Sequence, residues 1–182
     1  MTWILTASGK KVYFDEPEKS EFDILDIAHA LSLLCRFNGH SRYFYSVAQH
    51  SYHASYLVPV RYALGALMHD AAEAYLGDVS SPLKAMLPDY KSLEGRMEHA
   101  IRSFFDLPPE LHPCIKEADM VMLATEKRDL MPSHPEPWPC LEGVEPMHDM
   151  LSSWSPVNAR ICFMRRFDEL VNPGFANVMA EF

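Results

Sequence analysis

A histidine and an aspartate stand side by side within an apolar run of helical character, and this pair constrains the fold more than any other feature. The run extends from Leu64 to Leu76, holds His69 and Asp70 near its centre and includes Glu73 one helical turn later. Burying an imidazole and a carboxylate among alanine, leucine and methionine is costly unless a partner compensates both, and a divalent cation does so. The run therefore predicts a metal site on a buried helix.

Length and composition set the class of protein. The chain has 182 residues, of which 48% are hydrophobic, so we expect one domain over residues 1–182 with a single sizeable core. No run approaches transmembrane length, and the start of the chain lacks the pattern of a secretory signal. Four widely spaced cysteines without a CxxC pattern fit reduced thiols and a cytoplasmic location. The net charge of -9 disfavours nucleic acid polymers and membranes as partners.

Hydrophobic periodicity predicts an all-α fold of six or seven helices, preceded by a short N-terminal β-hairpin around residues 8–9. Ser46 and Gln49 form a capping-box pattern, and Ser155 followed by Pro156 predicts an N-cap with proline in the first turn. The longer predicted helices cover residues 24–35, 46–58, 61–76, 90–105, 111–130 and about 156–170, and a short one starts at residues 81–82.

Five prolines lie between residues 131 and 147, so this segment is predicted to be a long loop. Such a loop is a functional lid or an oligomer contact about as often as it is merely exposed.

Further ionisable residues interrupt apolar helical sequence. His69 and Glu73 are four residues apart and share a helix face, and Asp78 follows where the chain leaves that helix. His50 and Asp119 each stand alone in another apolar helical run. Two histidines and two aspartates from three helices would form a nitrogen and oxygen shell suited to Zn, Mn, Co or Ni, with open positions for water and phosphate.

The order of these residues resembles the HD-domain phosphohydrolase superfamily. The resemblance covers about residues 24–130, and within the superfamily the chain is most similar to the bacterial 5'-deoxynucleotidases and the phage dATP triphosphohydrolases. It implies an HD-domain helical bundle that hydrolyses 2'-deoxynucleotides, with one divalent cation per site (Zn, Mn or Co, with Ni and Mg as further options), and a homo-oligomer, either a dimer or a hexamer. The residues that carry it are Arg36, His50, His69, Asp70, Glu73, Asp78, Lys84 and Asp119.

The resemblance also implies a role for each of these residues. His50, His69, Asp70 and Asp119 bind the cation. Glu73 positions or deprotonates the attacking water, and Asp78 assists as an acid or hydrogen bonder. Arg36 and Lys84 hold phosphate oxygens. Candidates for contacting the base, by position in the family, are Phe22, Ile24, Leu25 and Pro82, with Trp138 added if the proline-rich loop closes over the site.

Several alternatives stay open at this stage. His53 lies three residues after His50 and is its rival as a ligand, while His40 is expected in a turn. The charged run beginning at Glu126 is interpreted as a solvated helix face.

The leaning is to a triphosphohydrolase acting on dATP or other deoxynucleoside triphosphates, with a 5'-deoxynucleotidase as the alternative. A different class of explanation is a sensor that binds nucleotide or metal without catalysis.

Overall fold

The computed structural model describes residues 2–172, so Met1 and residues 173–182 of the predicted domain lie outside the described residues. Strand β1 (Trp3–Leu5) pairs antiparallel with β2 (Lys11–Tyr13), which places Ile4 opposite Val12. All further regular structure in the described part is helical, and the predicted all-α fold with an N-terminal hairpin is confirmed. The helices are α1 (Ile24–Leu33), α2 (Val47–Ala54), α3 (Val60–Leu67), α4 (Glu73–Leu76), α5 (Ser81–Lys84), α6 (Pro88–Phe104), α7 (Pro113–Leu130) and α8 (Pro156–Val171).

Local signals in the sequence explain most helix ends. The Ser46 hydroxyl accepts a hydrogen bond from the backbone N–H of Gln49, and the Ser155 hydroxyl does the same for Asn158. Both are N-cap contacts that satisfy donors at a helix start. Pro113 occupies the first turn of α7, where its missing N–H costs nothing.

The main core lies between α1 and the helices that pack on it. Helix α1 contacts α2, α4 and α8, and fully buried side chains such as Ile27, Leu31 and Phe163 fill the space between them. A smaller apolar cluster, which includes Ala66 and Ile115, lies where α3 meets α7. These two clusters fix α2, α3 and α7 relative to one another, and those helices bring the ionisable residues together. Within residues 2–172, every helix is too short or too polar to cross a bilayer.

Candidate metal centre

The predicted single helix over residues 61–76 is wrong at its centre, because the helix breaks at the histidine and aspartate. Helix α3 ends at Leu67, turns follow, and α4 starts at Glu73. His69 Nδ1 donates to the carbonyl oxygen of Ala66 at 2.7 Å. In an uninterrupted α-helix that carbonyl would accept from the backbone N–H of residue 70, so the side chain competes with the helix for it. The break directs the imidazole inward.

Four side-chain atoms from three parts of the chain converge in the interior. His50 Nε2 on α2 lies 3.4 Å from His69 Nε2 and 3.3 Å from Asp119 Oδ1 on α7. Asp70 Oδ2 lies 3.2 Å from His69 Nε2 and 3.7 Å from His50 Nε2. Ligand atoms of His50, His69 and Asp119 all lie within 4.8 Å of one another. This group could hold a metal ion.

Hydrogen bonds of the two imidazoles make the fit to a cation specific. His50 Nδ1 contacts the Glu126 carboxylate at 2.6 Å, and His69 Nδ1 donates to a backbone carbonyl. In each neutral ring the proton is therefore on Nδ1, and both Nε2 atoms present lone pairs to each other. Bonds of 2.0–2.2 Å to one cation place neighbouring ligand atoms roughly 3–3.6 Å apart, which matches the shorter of the observed separations. Two histidine nitrogens and carboxylate oxygens suit Zn, Mn or Co.

Without a cation, a proton on His69 balances part of the negative charge of Asp70 and Asp119. Burial lowers the pKa of His69, but the charges of Asp70 and Asp119 outweigh it and raise that pKa to about 9. Burial raises the pKa of both aspartates, but the neighbouring imidazoles outweigh it and hold each pKa well below its usual range. The cluster thus attracts positive charge strongly, as a metal site must.

Glu126 is the functional residue that the sequence interpretation missed. The charged run containing it was expected to be solvated, but its side chain is fully buried on α7. It accepts hydrogen bonds from Arg36 Nε and Nη2 at 3.1 and 3.0 Å and orients His50 through Nδ1. Burial raises the pKa of Glu126, but Arg36 and His50 outweigh it and lower that pKa. The available signal was its spacing, seven residues after Asp119, which puts both on one face of α7.

Arg36, predicted to bind phosphate, is buried and bound to Glu126. Its remaining terminal nitrogen, Nη1, lies 3.7 Å from Asp70 Oδ2 and so faces the cluster. The backbone immediately after it is unusual, since Phe37 and Asn38 both adopt left-handed conformations with φ of 57° and 52°. Such a conformation is a true outlier for an aromatic residue and is kept only where the surroundings demand it.

Glu73 begins α4, three residues after Asp70, and has one carboxylate oxygen uncommitted. Its Oε2 is buried and has no hydrogen-bond partner among the described residues. Burial raises its pKa well above the usual range, and the charges of Asp70 and Asp78 act in the same direction. Lys84 Nζ lies 3.6 Å from Glu73 Oε1 and donates to Glu94 at 2.5 Å. Asp78 is partly buried, and burial together with Asp70 raises its pKa although Arg36 opposes this.

The predicted base contacts are spread over different environments. Phe22 is buried and packs on Tyr75 and Phe104. Ile24 packs partly buried against the same core, whereas Leu25 and Pro82 are exposed. Two of these side chains thus belong to the core and two are at the surface, and their role in binding a base stays a prediction.

Two other candidates occupy positions away from the four ligand atoms. His53 packs against the ring of Trp154 with centroids 5.0 Å apart, and burial lowers its pKa to about 4. His40 is exposed after the turn that contains Phe37. Trp138 packs 6.2 Å from Phe37 between ring centroids, so the proline-rich segment reaches the neighbour of Arg36.

Comparison with known proteins places the chain beside two relatives. No family model matches it. It is 47% identical over 172 residues to the uncharacterized protein YfdR of Escherichia coli strain K12, and the match covers 93% of this chain and 96% of YfdR. It is 36% identical over 126 residues to an uncharacterized protein of Rhodobacter capsulatus, a match that covers 64% of each chain.

Proposed function

The chain belongs to the same family as YfdR, and from the geometry of the metal centre we propose that it is a metal-dependent phosphohydrolase of 2'-deoxynucleotides. One observation carries the proposal. The lone-pair atoms of two histidines and two aspartates face one another, and Glu73, on which the charge of Asp70 acts, has a buried and uncommitted Oε2. The resemblance to the HD-domain phosphohydrolases supplies the substrate class.

His50, His69, Asp70 and Asp119 are the residues that would hold the cation. A divalent cation held there supplies positive charge for phosphate oxygens and makes water easier to deprotonate. Glu126 and the Ala66 carbonyl keep the two imidazoles in the tautomer that leaves Nε2 free.

Glu73 is the proposed general base. Its Oε2 accepts a proton from the attacking water while the water oxygen bonds to phosphorus and the bond from phosphorus to the ester oxygen breaks. When ionised, a carboxylate with a raised pKa is a stronger proton acceptor than an ordinary glutamate, and a cation at the neighbouring site would favour that ionised form. Asp78, whose pKa is also raised, is the proposed acid that gives the leaving ester oxygen its proton.

Charge around the centre favours a monophosphate substrate over a triphosphate. Arg36 offers Nη1 to a phosphate, but its other nitrogens are bound by Glu126. Lys84 is bonded to Glu94, and Lys116 is bonded to Asp119. Each of these three side chains is thus already neutralised by a carboxylate. A triphosphate would bring about four negative charges to the centre with little positive charge from side chains to balance them. We therefore propose a 5'-deoxynucleotidase, and turnover of dATP is the competing outcome of the test.

Product analysis tests the proposal directly. Deoxynucleoside and ribonucleoside mono- and triphosphates are incubated with the protein in Mn, Co or Zn, in water labelled with heavy oxygen. We expect inorganic phosphate from deoxynucleoside monophosphates with the label in the phosphate. Label in the nucleoside alone would refute attack by water at phosphorus, and tripolyphosphate or successive phosphates from dATP would assign the triphosphohydrolase instead.

Two variants separate catalysis from metal binding. Glu73→Gln should lower the rate by about 10²–10⁴-fold while retaining bound metal. Asp119→Asn should lose both the bound metal and the activity. Glu117→Gln, an exposed position on the same helix as Asp119, serves as the matched control and should retain full rate. A wild-type protein that holds metal but turns over none of the substrates would support the sensor interpretation.

A further inference from the structure

A second cavity lies between the end of α7 and the proline-rich segment. It has a volume of about 400 Å³, which is within the range of small-molecule sites. None of its lining residues belongs to the metal centre, and none is acidic, although the whole chain carries a net charge of -9. Its polar lining includes Arg42, Lys127, Arg128 and His134. The cavity lining is therefore locally positive, whereas the net charge of the protein is negative.

The cations of this cavity differ in whether they already bind a carboxylate of the protein. Arg128 is committed, because it binds the Asp129 carboxylate and the backbone oxygens of residues 147 and 149. Arg42 and Lys127 have no carboxylate partner within residues 2–172, whereas Lys10, Lys84 and most other cations do. The Lys127 ammonium lies 5.2 Å from the ring centre of Trp138, a contact that leaves its N–H groups free to bind an anion.

His134 adds a third donor. Its Nδ1 accepts a hydrogen bond from the backbone N–H of Glu136 at 3.2 Å, so in the neutral ring the proton is on Nε2. The lining also contains apolar side chains, among them Met131, Leu141 and Val144. A lining that combines cationic donors with apolar side chains fits an anion with an apolar or aromatic body.

Hydrogen bonds and prolines restrict part of the cavity wall. The far end of the proline-rich segment is fastened to α7, because the backbone N–H of Met147 donates to Thr125 Oγ1 at 2.9 Å and Arg128 binds the Met147 oxygen. Pro132 and Pro146 line the cavity and restrict the backbone on both sides of it. A preformed site loses less conformational entropy on binding than a flexible loop.

We propose that this cavity, which we call the α7-loop pocket, binds a phosphate-bearing anion with an apolar or aromatic body, such as a nucleotide, at a site separate from the metal centre. Lys127 lies eight residues after Asp119, about 12 Å along the axis of α7. It directly follows Glu126 and is turned from it by roughly 100°. A series of contacts connects the pocket with the metal centre. Lys127 lies over Trp138, Trp138 packs near Phe37, and the Phe37 ring lies under the guanidinium of Arg36.

Binding to metal-free protein tests the proposal without involving the centre. Titration calorimetry with dATP is carried out on protein stripped by a chelator that is then removed, so that phosphate recruited by metal cannot contribute. We expect saturable binding to the wild type and at least a tenfold loss of affinity in Arg42→Ala/Lys127→Ala. The control Lys11→Ala/Arg61→Ala removes the same charge from two exposed cations that, like Lys127, lie over aromatic rings. It should bind within twofold of the wild type.

Retained metal binding shows that the pocket variant is folded, since its substitutions lie outside the metal centre. Failure of the wild type to bind dATP without metal would refute the proposal. Equal losses in the pocket variant and the control would also refute it, because net charge alone would then explain the effect. The phosphohydrolase proposal is judged by turnover with metal and stands or falls independently.

Discussion

Replacing the buried carboxylate Glu126 by glutamine is the most informative single perturbation of the metal centre. The substitution keeps the side chain's shape, removes its charge and turns one acceptor into a donor facing Arg36 or His50. Arg36 would keep only Asp70, at 3.7 Å, as a charged partner. Removing one partner of a buried ion pair costs about 3–5 kcal/mol. We therefore expect the free energy of unfolding to fall by about that amount even without metal.

Urea denaturation in a chelator measures this loss. With a denaturant slope of about 2 kcal/mol per molar, the midpoint should fall by about 1.5–2.5 M. Glu117→Gln removes an exposed carboxylate from the same helix and should change the free energy of unfolding by less than about 0.5 kcal/mol. If the Glu126→Gln midpoint coincided with that of the control, the argument that this carboxylate neutralises a buried guanidinium would be refuted.

Three further outcomes follow from single residues. The pKa of His69 is about 9 in the metal-free fold, compared with 6.5 for an ordinary histidine, so its stabilisation is complete below pH 6.5 and is lost as the pH rises through 9. The free energy of unfolding, from urea denaturation in chelator, should fall by up to about 3 kcal/mol over this window, and a flat profile would contradict the ion pairs of His69. Gly77→Ala should cost about 1–3 kcal/mol in thermal unfolding, because φ is 80° while no atom lies within 4 Å of an added Cβ. Ser46→Ala should cost about 1 kcal/mol by the same assay through loss of the contact to Gln49, and an unchanged melting temperature would show that the cap is dispensable.

Much of the fold was predictable because its signals are local. Caps at Ser46 and Ser155, the proline in the first turn of α7 and the hairpin around Gly9 all depend on residues close in sequence. The break between α3 and α4 was not predictable from periodicity. It depends on His69 binding the carbonyl of Ala66, a contact that competes with an otherwise regular helical pattern.

The site was predictable in part for a different reason. His50, His69, Asp70 and Asp119 could be singled out because ionisable residues stand out in apolar helices, and the family resemblance supplied their grouping. Glu126 could not be separated from the charged residues after it, because its partner Arg36 lies ninety residues away. A long-range ion pair leaves no mark on the local sequence around either member.

The separation of Arg36 and Glu126 in sequence also affects the order in which the protein folds during synthesis. Closing a segment of ninety residues costs about 4 kcal/mol in chain entropy beyond a constant. Until α7 has docked, Arg36 lacks Glu126, the carboxylate that accepts two of its hydrogen bonds. A ribosome releases both histidines well before it releases Glu126. We expect the first half of the nascent chain to lack a formed metal centre. Docking of α7 should then complete the metal centre and the surrounding core in one late step.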